Sequence, residues 1–395
     1  MINDSFSLYI RDNIGAGQQH IASLSRSVVE QADSNLAEYV RHNGDEAYLD
    51  PLIFAMICQA DIAIDPAQLL LGYMKPENRV TGIEVITDET GLAYLPRIGY
   101  FATGVPDSML RMIGHISPDQ CIFFDGTEQL VHRFKPLRTV ADGSIEVLQG
   151  KHPLLMRYFV DTEGNPAPFQ TDEISVDQTE NLDKALHIIN QVHPHYYDCI
   201  RAVTRDVVIF HSDPMNSFAT LAAHGAAFLN TSVHDDEVFF IEDLAHQCGH
   251  IVFNALTFET DTYLLVPKDT PLRDYNNHER ETRSVYDAFH GLFTEAMMYE
   301  CLNECYLQKI FTGRQEQELI GRMSFILSRF ALDLNLFARY PLLTESGLWL
   351  LGNIMKIFKA GYEARWQDIQ KLEFTNQGYN FSYDKFAQAN GMVQL

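Results

Sequence analysis

The chain has 395 residues, of which 46% are hydrophobic and 21% charged, and this composition predicts a packed globular protein rather than a disordered one. Its formal net charge is −24, and no run of lysines or arginines is present, which argues against a nucleic-acid-binding protein. The length admits one large domain or two ordinary ones.

The sequence also favours a reducing, cytoplasmic setting. The first residues, MINDSFSLYIRDNIGAG, lack the basic region and apolar core of a secretory signal. No apolar run approaches the roughly 20 residues that span a bilayer, so we expect no membrane partner. The 6 cysteines are scattered and include no C-x-x-C pair.

Helical and β-rich patterns alternate in the first half of the chain. Residues 1 to about 78 are predicted to be helical, since apolar residues recur every three or four positions in QQHIASLSRSVVEQADSNLAEYVRHN. From about residue 80, short strands are predicted around turns at Asp88–Gly91, Asp125–Gly126 and Gly150, which gives a small, mostly antiparallel β-region. The polar segment at about 161–180 is the best candidate for a domain boundary or surface loop.

The second half is predicted to be mainly helical. A helix that Pro194 must end or kink precedes two short buried strands, VVIFHS and AAFLN. A helix from about Val238 to Leu256 follows, then a second long helix, VYDAFHGLFTEAMMYECLNECYLQKIF. Two more helices are predicted at about 315–335 and 345–372, before a polar tail.

The predicted fold class is therefore α+β. A helical N-terminus leads into a smaller antiparallel β-rich region, and a predominantly helical C-terminal part follows. We expect an N-terminal region at 1–165 that is a candidate for substrate binding, and a mainly helical, metal-binding catalytic domain at 175–395.

The stretch EDLAHQCGHIVFNAL contains an H-x-x-x-H pair, His246 and His250. At this spacing on a helix two imidazoles share a face and can converge on one metal ion. The alternative is a pair of core histidines, each with a hydrogen-bond partner. Gly249 favours a metal site, because glycine lets another element approach the helix beside the second histidine.

A catalytic metal site needs a third ligand and open coordination positions. His290, in an apolar helix and followed by Gly291, is the leading candidate. Glu295 is the alternative, and it would give the two-histidine, one-glutamate set of thermolysin-like proteases. Asp287, one turn before His290, is a further candidate, either as a ligand or as the partner that orients His290.

Gln247 stands where a zinc-protease helix, H-E-x-x-H, has its glutamate, and it is the candidate catalytic residue of the motif. A neutral amide cannot take the proton from metal-bound water. A hydrolase would therefore need another base, such as Glu242 or Asp243. An iron oxygenase needs no such base, so Gln247 could be a spectator or a hydrogen-bond donor there.

Three arginines, Arg273, Arg280 and Arg283, precede His290. If 2-oxoglutarate is a co-substrate, its distal carboxylate needs a cation, and the planar fork of arginine suits it. Arg283 lies seven residues before His290, close to two helical turns, so the two side chains could share a face. The alternative is that these arginines pair with neighbouring acidic residues on a solvated surface.

This order of features resembles the HExxH-motif peptide-modification proteins of bacterial ribosomal-peptide natural-product clusters. The resemblance covers about 180–310. It rests on His246 and His250 in the motif helix and on Arg283 followed by His290–Gly291 in the next. Gln247 departs from the family by replacing the motif glutamate, and Ser284 departs by standing where the family usually has proline.

The resemblance implies an iron(II)- and 2-oxoglutarate-dependent dioxygenase that hydroxylates, or otherwise oxidises, a side chain of a ribosomally made precursor peptide. It implies that His246, His250 and His290 bind the iron and that Arg283 or Arg273 binds 2-oxoglutarate. The β-rich region then either pairs with an extended part of the peptide or is purely structural. Two other functions compete: a zinc-dependent hydrolase with a displaced base, and a non-catalytic scaffold with a decayed motif.

Overall fold

The computed structural model of the protein describes residues 4–392, apart from 33, 41–43, 60, 80–81, 115–119, 162, 277–278, 280 and 338–339. The α-helices of these residues are α1 (Asp4–Ala32), α2 (Ser34–Val40), α3 (Pro51–Ile57), α4 (Pro66–Leu70), α5 (Asp172–Val192), α6 (Pro194–Val203), α7 (Glu237–Leu256), α8 (Arg273–Asn276), α9 (Val285–Leu307), α10 (Arg314–Phe337), α11 (Glu345–Ile369) and α12 (Tyr383–Ala389). The strands are β1 (Ile83–Ile86), β2 (Leu92–Leu95), β3 (Gly99–Ala102), β4 (Met109–Ile113), β5 (Ile122–Asp125), β6 (Glu128–Leu130), β7 (Arg133–Lys135), β8 (Thr139–Val140), β9 (Ile145–Val147), β10 (Asp206–Phe210), β11 (Phe218–Ala219) and β12 (Ala226–Asn230). The α+β class predicted from the sequence is confirmed.

The chain divides into two compact units, each built from separate segments. The helical unit comprises Met1–Gly17, Asn181–Ala202 and His234–Leu395, and the sheet unit comprises Gln18–Glu180 and Val203–Val233. The boundary expected between residues 165 and 175 lies close to the crossing from Glu180 to Asn181. In addition, Met1–Gly17 belongs to the helical unit and Val203–Val233 belongs to the sheet unit, so neither unit is a continuous half of the chain.

Three sheets form within the described residues of the sheet unit. Their strand orders are β1-β4-β5-β6, β2-β3-β7 and β11-β12-β10-β9-β8. The first two are antiparallel, while in the third β10 runs parallel to both β12 and β9. The predicted strands VVIFHS and AAFLN are β10 and β12, and every residue of β10 is buried. A strand covered on both faces is expected to read as a continuous apolar run.

The three predicted turns have different outcomes. The turn at Asp125–Gly126 joins β5 to β6 in a hairpin, as predicted, with Gly126 at φ 57°. The turn at Asp88–Gly91 also forms, but β1 and β2 then pair with strands of two different sheets. The hairpin predicted at Gly150 is wrong, because Pro153–Tyr158 forms a 3-10 helix that the His152 side chain caps.

Two polar segments are more ordered than expected. Of the segment at about 161–180, the described residues 163–171 form a loop, and α5 begins at Asp172. The predicted polar tail contains α12, whose Phe386 is fully buried in an aromatic cluster with Phe381 and Tyr383. This helix was not predicted, because the aromatic residues that bury it are few and widely spaced in the sequence.

The helical unit is built around α9. This helix packs against α7, α10 and α11. Pro194 begins α6 directly after α5 ends at Val192, which confirms the predicted break. None of the helices in the described ranges combines the length and the apolarity that a membrane-spanning segment needs.

Both helices that carry the motif begin with a side-chain cap. The Asp236 side chain accepts a hydrogen bond from the Val238 amide at the start of α7. Ser284 and Asp287 form a reciprocal capping box at the start of α9. Such caps pair backbone amides that a helix leaves unbonded, and each stabilises a helix by about 1 kcal/mol. They fix where the two helices begin, and hence which side chains face each other.

Candidate functional site

Close packing beside Gly249 sets the spacing of the site. A Cβ atom on Gly249 would lie 3.1 Å from the Tyr196 hydroxyl and 3.2 Å from Cγ2 of Thr294, tighter than ordinary contacts. The Tyr196 hydroxyl donates a hydrogen bond to the Ala245 carbonyl at 2.9 Å. The close approach predicted beside the second histidine is therefore confirmed, and it involves both α6 and α9.

The packing of α7 against α9 brings three imidazole rings together. The ring centroids of His246 and His250 are 4.9 Å apart, and those of His250 and His290 are 4.2 Å apart. Nε2 of His290 lies 2.8 Å from Nδ1 of His250 and 3.1 Å from the His250 carbonyl oxygen. Because a carbonyl only accepts, Nε2 of His290 carries the proton and Nδ1 of His250 faces it as an acceptor.

The surroundings of all three rings disfavour their charged forms. Burial lowers the pKa of His246 and of His250 well below 6.5, and in each case a neighbouring histidine lowers it further. Burial likewise lowers the pKa of His290 to about 3. Phe253 stacks on the His290 ring, with centroids 5.0 Å apart and planes 19° apart, and restrains it. The site therefore presents neutral nitrogen donors rather than positive charge.

The side-chain amide of Gln247 contacts two neighbouring polar groups. Its Nε2 lies 3.1 Å from Oδ1 of Asp243 and 3.2 Å from Nδ1 of His246. An amide nitrogen donates, so Nδ1 of His246 accepts and the proton of that neutral ring lies on Nε2. Oε1 of Gln247 is buried, and no described residue pairs with it. A glutamate at this position would bring a second carboxylate against Asp243.

A small pocket opens beside His246. It has room for about one or two water-sized groups. It is lined by Glu242, His246, Glu295, Met298, Phe325, Ile326, Arg329, Asn380 and Phe381. These side chains come from α7, α9, α10 and the segment before α12, so three helices and a loop define it.

Glu295 is the unpaired acid of this pocket. The residue is only 3% exposed, and its Oε2 has no hydrogen-bond partner among the described residues. Burial raises the pKa of Glu295 well above 4.5, and the nearby Asp333 raises it further. The charges of Arg329 and Arg283 oppose this shift only in part, so the surroundings of Glu295 disfavour its charged form.

The two candidate bases of a hydrolase are already engaged. Oε2 of Glu242 accepts a hydrogen bond from Arg322 at 2.9 Å, and the same guanidinium pairs with Glu318 at 2.7 Å. Oδ1 of Asp243 accepts from the Gln247 amide. Both carboxylates are therefore already engaged by donors of the protein, and a water molecule would have to compete with those donors for them.

Arg283 is held on both sides by carboxylates. Its Nε and one terminal nitrogen bond to Glu281 at 3.0 and 2.8 Å, and its terminal nitrogens bond to Asp333 at 2.7 and 3.0 Å. Arg283 therefore pairs with acidic residues, which is the alternative considered from the sequence. Asp333 of α10 is an additional partner. Its role in binding 2-oxoglutarate stays a prediction. Arg273 is exposed in α8.

Two further residues were considered from the sequence, Asp287 as a ligand or orienting partner and Arg280 as a cation for 2-oxoglutarate. Oδ2 of Asp287 accepts hydrogen bonds from the amide and hydroxyl of Ser284, at 3.2 and 2.8 Å. Asp287 therefore caps α9, and Ser284 is its reciprocal capping partner. Arg280 lies outside the described residues.

Arg329 is a site residue that the sequence analysis missed. It lines the pocket with His246 and Glu295. It donates to the Tyr379 carbonyl at 2.9 Å and lies 4.5 Å over the Tyr379 ring, but among the described residues it has no carboxylate partner. The available signal was its spacing of seven residues from Arg322, which places both on one face of an otherwise apolar part of α10.

The donors suit a divalent metal, although they are not arranged as a formed metal site. Within the described ranges no group of three or more His, Cys, Asp or Glu side chains is positioned to hold a metal ion. Neutral imidazoles and the orphaned Glu295 oxygen are nevertheless the ligand types that zinc and iron take. For His246 to bind through Nε2, its proton would have to move to Nδ1 and the Gln247 amide would have to turn over. Comparison of the sequence with protein-family models and with curated proteins finds no match.

Proposed function

We propose that the chain is a metal-dependent enzyme, and specifically an iron(II)- and 2-oxoglutarate-dependent dioxygenase that oxidises a side chain of a ribosomally made precursor peptide in the cytoplasm. The observation that carries the proposal is the contact of three neutral imidazoles, His246, His250 and His290, beside a pocket. The choice of iron, 2-oxoglutarate and a peptide is supported by the resemblance of this motif region to the HExxH-motif peptide-modification proteins.

The chain's own residues would hold and orient the metal. The three histidines would supply nitrogen lone pairs once a metal replaces the hydrogen bonds that Nδ1 of His246 accepts from Gln247 and Nδ1 of His250 accepts from His290. Their lowered pKa values disfavour a second proton on each ring. Three protein ligands leave positions open for a co-substrate and oxygen. Bound iron(II), together with 2-oxoglutarate and oxygen, supplies the oxidising power for attack on a C–H bond. Gln247 would orient His246, and Phe253 would restrain His290 and exclude water from one face.

The bonding of the nearby carboxylates favours an oxygenase over a hydrolase. Glu242 is bonded to Arg322, and Asp243 is bonded to Gln247, so the motif offers no unengaged base. An oxygenase needs none. Arg329, which lines the pocket and has no carboxylate partner among the described residues, supports the binding of an acidic co-substrate better than Arg283 does.

A zinc-dependent hydrolase is the second candidate, and Glu295 is the observation that favours it. The carboxyl group is buried beside His246, and its Oε2 is unpaired within the described ranges. A cation bound there would hold Glu295 as a carboxylate and complete a two-histidine, one-glutamate set with His246 and His250. In that case His290 would orient His250 rather than bind the metal.

Metal analysis of protein purified without oxygen tests the proposal. We expect one iron per chain and 2-oxoglutarate-dependent release of succinate. Variants H246A and H250A should lose the iron, whereas H187A, which removes a half-exposed histidine of α5, should keep it. Tightly held zinc with peptide cleavage would instead support the hydrolase. A chain that binds neither metal at micromolar concentration overturns both functions.

A pair of variants identifies the third ligand. If His290 binds the metal, H290A should lose it and E295Q should retain it. If Glu295 binds it, E295Q should lose the metal and H290A should retain a weakened site. Bound metal is measured directly in each case, so the result does not depend on knowing the peptide.

A further inference from the structure

A second cluster of ionisable side chains lies within the sheet unit. Asp206 of β10 and Glu146 of β9 are paired positions in the parallel register of these strands. They are only 3% and 4% exposed, and paired positions place their side chains on the same face of the sheet. Asp50, the N-cap of α3, is a third carboxyl group of the cluster and is also 3% exposed.

Two of these carboxyl groups have hydrogen-bond donors, and the third has an unpaired oxygen. Asp50 accepts from the Tyr73 hydroxyl at 2.8 Å, and Glu146 accepts from the Tyr94 hydroxyl. Glu146 also has Arg97 at 3.8 Å. Oδ2 of Asp206, in contrast, is buried and has no hydrogen-bond partner in the described part of the chain.

The positive charges near the cluster do not balance three carboxylates. Arg97 is shared with Glu46, to which it is closer, at 3.1 Å, than to Glu146. The charged and titratable groups that face the cluster from the elements around it are Glu46, Asp50, Tyr73, Tyr94, Arg97, Tyr100, Glu146 and Arg205. If Asp206 were ionised, it would face the Glu146 carboxylate across the strand pair with little solvent to screen the repulsion.

We propose that Asp206 keeps its proton in the folded sheet unit, and that the pairing of β9 with β10 depends on this proton. We call the cluster of Asp50, Glu146 and Asp206 the proton latch. Loss of the proton to solvent at alkaline pH leaves two buried carboxylates at paired positions. The register of β9 with β10 covers two residue pairs, whereas that of β12 with β10 covers five. The pairing of β9 with β10 therefore opens first.

The direction of the shifts agrees with this latch. Burial and the neighbouring carboxylates raise the pKa of Asp206 well above 3.8, and burial raises the pKa of Asp50 to about 6. The folded state then binds a proton that the unfolded chain has released. Stability is thus present in full below the ordinary carboxyl pKa and is lost as pH rises towards the folded value.

Hydrogen exchange tests the latch, because it reports β9 and β10 separately from the helical unit. Peptides covering these strands are followed from pH 5 to 9, with rates corrected for intrinsic exchange. In the unmodified chain, we expect the local opening constant to rise by up to tenfold per pH unit more than in D206N, which is the effect of one proton. The matched control D213N removes a carboxylate that is 99% exposed beyond the end of β10, and it should keep the full pH dependence.

Two further measurements complete the test. E146Q removes the opposing carboxylate and should also flatten the pH dependence, which provides a second reading if D206N does not fold. Trp349 and Trp366, both in α11, report the helical unit and should respond to pH alike in all variants. Equal pH dependence of β9 and β10 in the unmodified chain, D206N and E146Q overturns the proposal.

Discussion

Replacing Gln247 by glutamate restores the H-E-x-x-H pattern, yet we expect the change to destabilise the protein rather than to create a hydrolase. The Gln247 amide donates to Oδ1 of Asp243 at 3.1 Å, and the two residues are only 2% and 8% exposed. The variant loses a hydrogen bond to a charged group, which contributes about 1.5–3 kcal/mol. It also places two carboxyl groups in contact, where two charges 4 Å apart repel by about 4 kcal/mol near a protein surface.

Uptake of a proton by the new carboxyl group limits this repulsion. The free energy of unfolding should therefore fall by about 2–4 kcal/mol at pH 7.5 and by clearly less at pH 5, where the proton is retained. The pKa of the new carboxyl group is expected to be higher in the folded state than in the unfolded state. The stability that its proton provides is therefore complete below a pH of about 4 and is lost as pH rises. Denaturant unfolding followed by the fluorescence of Trp349 and Trp366 measures it.

A matched control separates this effect from the substitution itself. Gln315 donates to Oε2 of Glu237 at 2.9 Å in a more exposed setting, so Q315E should lower stability by less than about 1 kcal/mol. If Q247E is as stable as the unmodified protein at pH 7.5, the hydrogen bond to Asp243 does not explain why glutamine occupies the position. Zinc-dependent peptide cleavage by Q247E would refute the reasoning altogether.

Three further predictions concern packing, acid stability and the arginines. G249A should lose about 1–3 kcal/mol of stability, because its Cβ would lie 3.1 Å from the Tyr196 hydroxyl, whereas G352A, with no atom within 4 Å in α11, should be neutral or gain up to about 1 kcal/mol. Burial lowers the pKa of His152 to about 4. This histidine should therefore destabilise the sheet unit by about 3 kcal/mol as pH falls from 6.5 to 4. H152N should remove that pH dependence in hydrogen exchange. R283Q should lower the unfolding midpoint, because two carboxylates lose their partner. R329Q should leave the midpoint unchanged and weaken 2-oxoglutarate binding in calorimetry. The opposite pattern would restore Arg283 as the ligand-binding arginine.

The helices of this protein were predictable because their signals are local. The apolar period defines α7 and α9 to within a few residues, and Pro194 marks the start of α6. The pairing of strands was less accessible. The turn after β1 was recognised, but nothing near it in the sequence indicates that β1 pairs with β4 while β2 pairs with β3. Pairing of this kind is decided by burial across the whole unit.

The same distinction applies to the candidate site. His246 and His250 are related by helical spacing, so their proximity could be predicted, and a histidine within a long apolar helix indicated His290. The ion pairs of Arg283 could not be predicted from local spacing, since Asp333, one of its two partners, lies 50 residues further along the chain. Arg329 was missed for the same reason: only the packing of α10 against α9 shows that it reaches the pocket.

The pairing of charges around the histidines limits what the site can bind. Arg283 is neutralised by Glu281 and Asp333, and Arg322 is neutralised by Glu242 and Glu318. These ion pairs form without a ligand, so a ligand that binds either arginine must displace one of its carboxylate partners. What remains for a ligand is the set of neutral imidazole nitrogens, the unpaired oxygen of Glu295 and the guanidinium of Arg329. The first two attract a cation and the third attracts an anion, and this combination is what the proposed pairing of a metal ion with an acidic co-substrate requires.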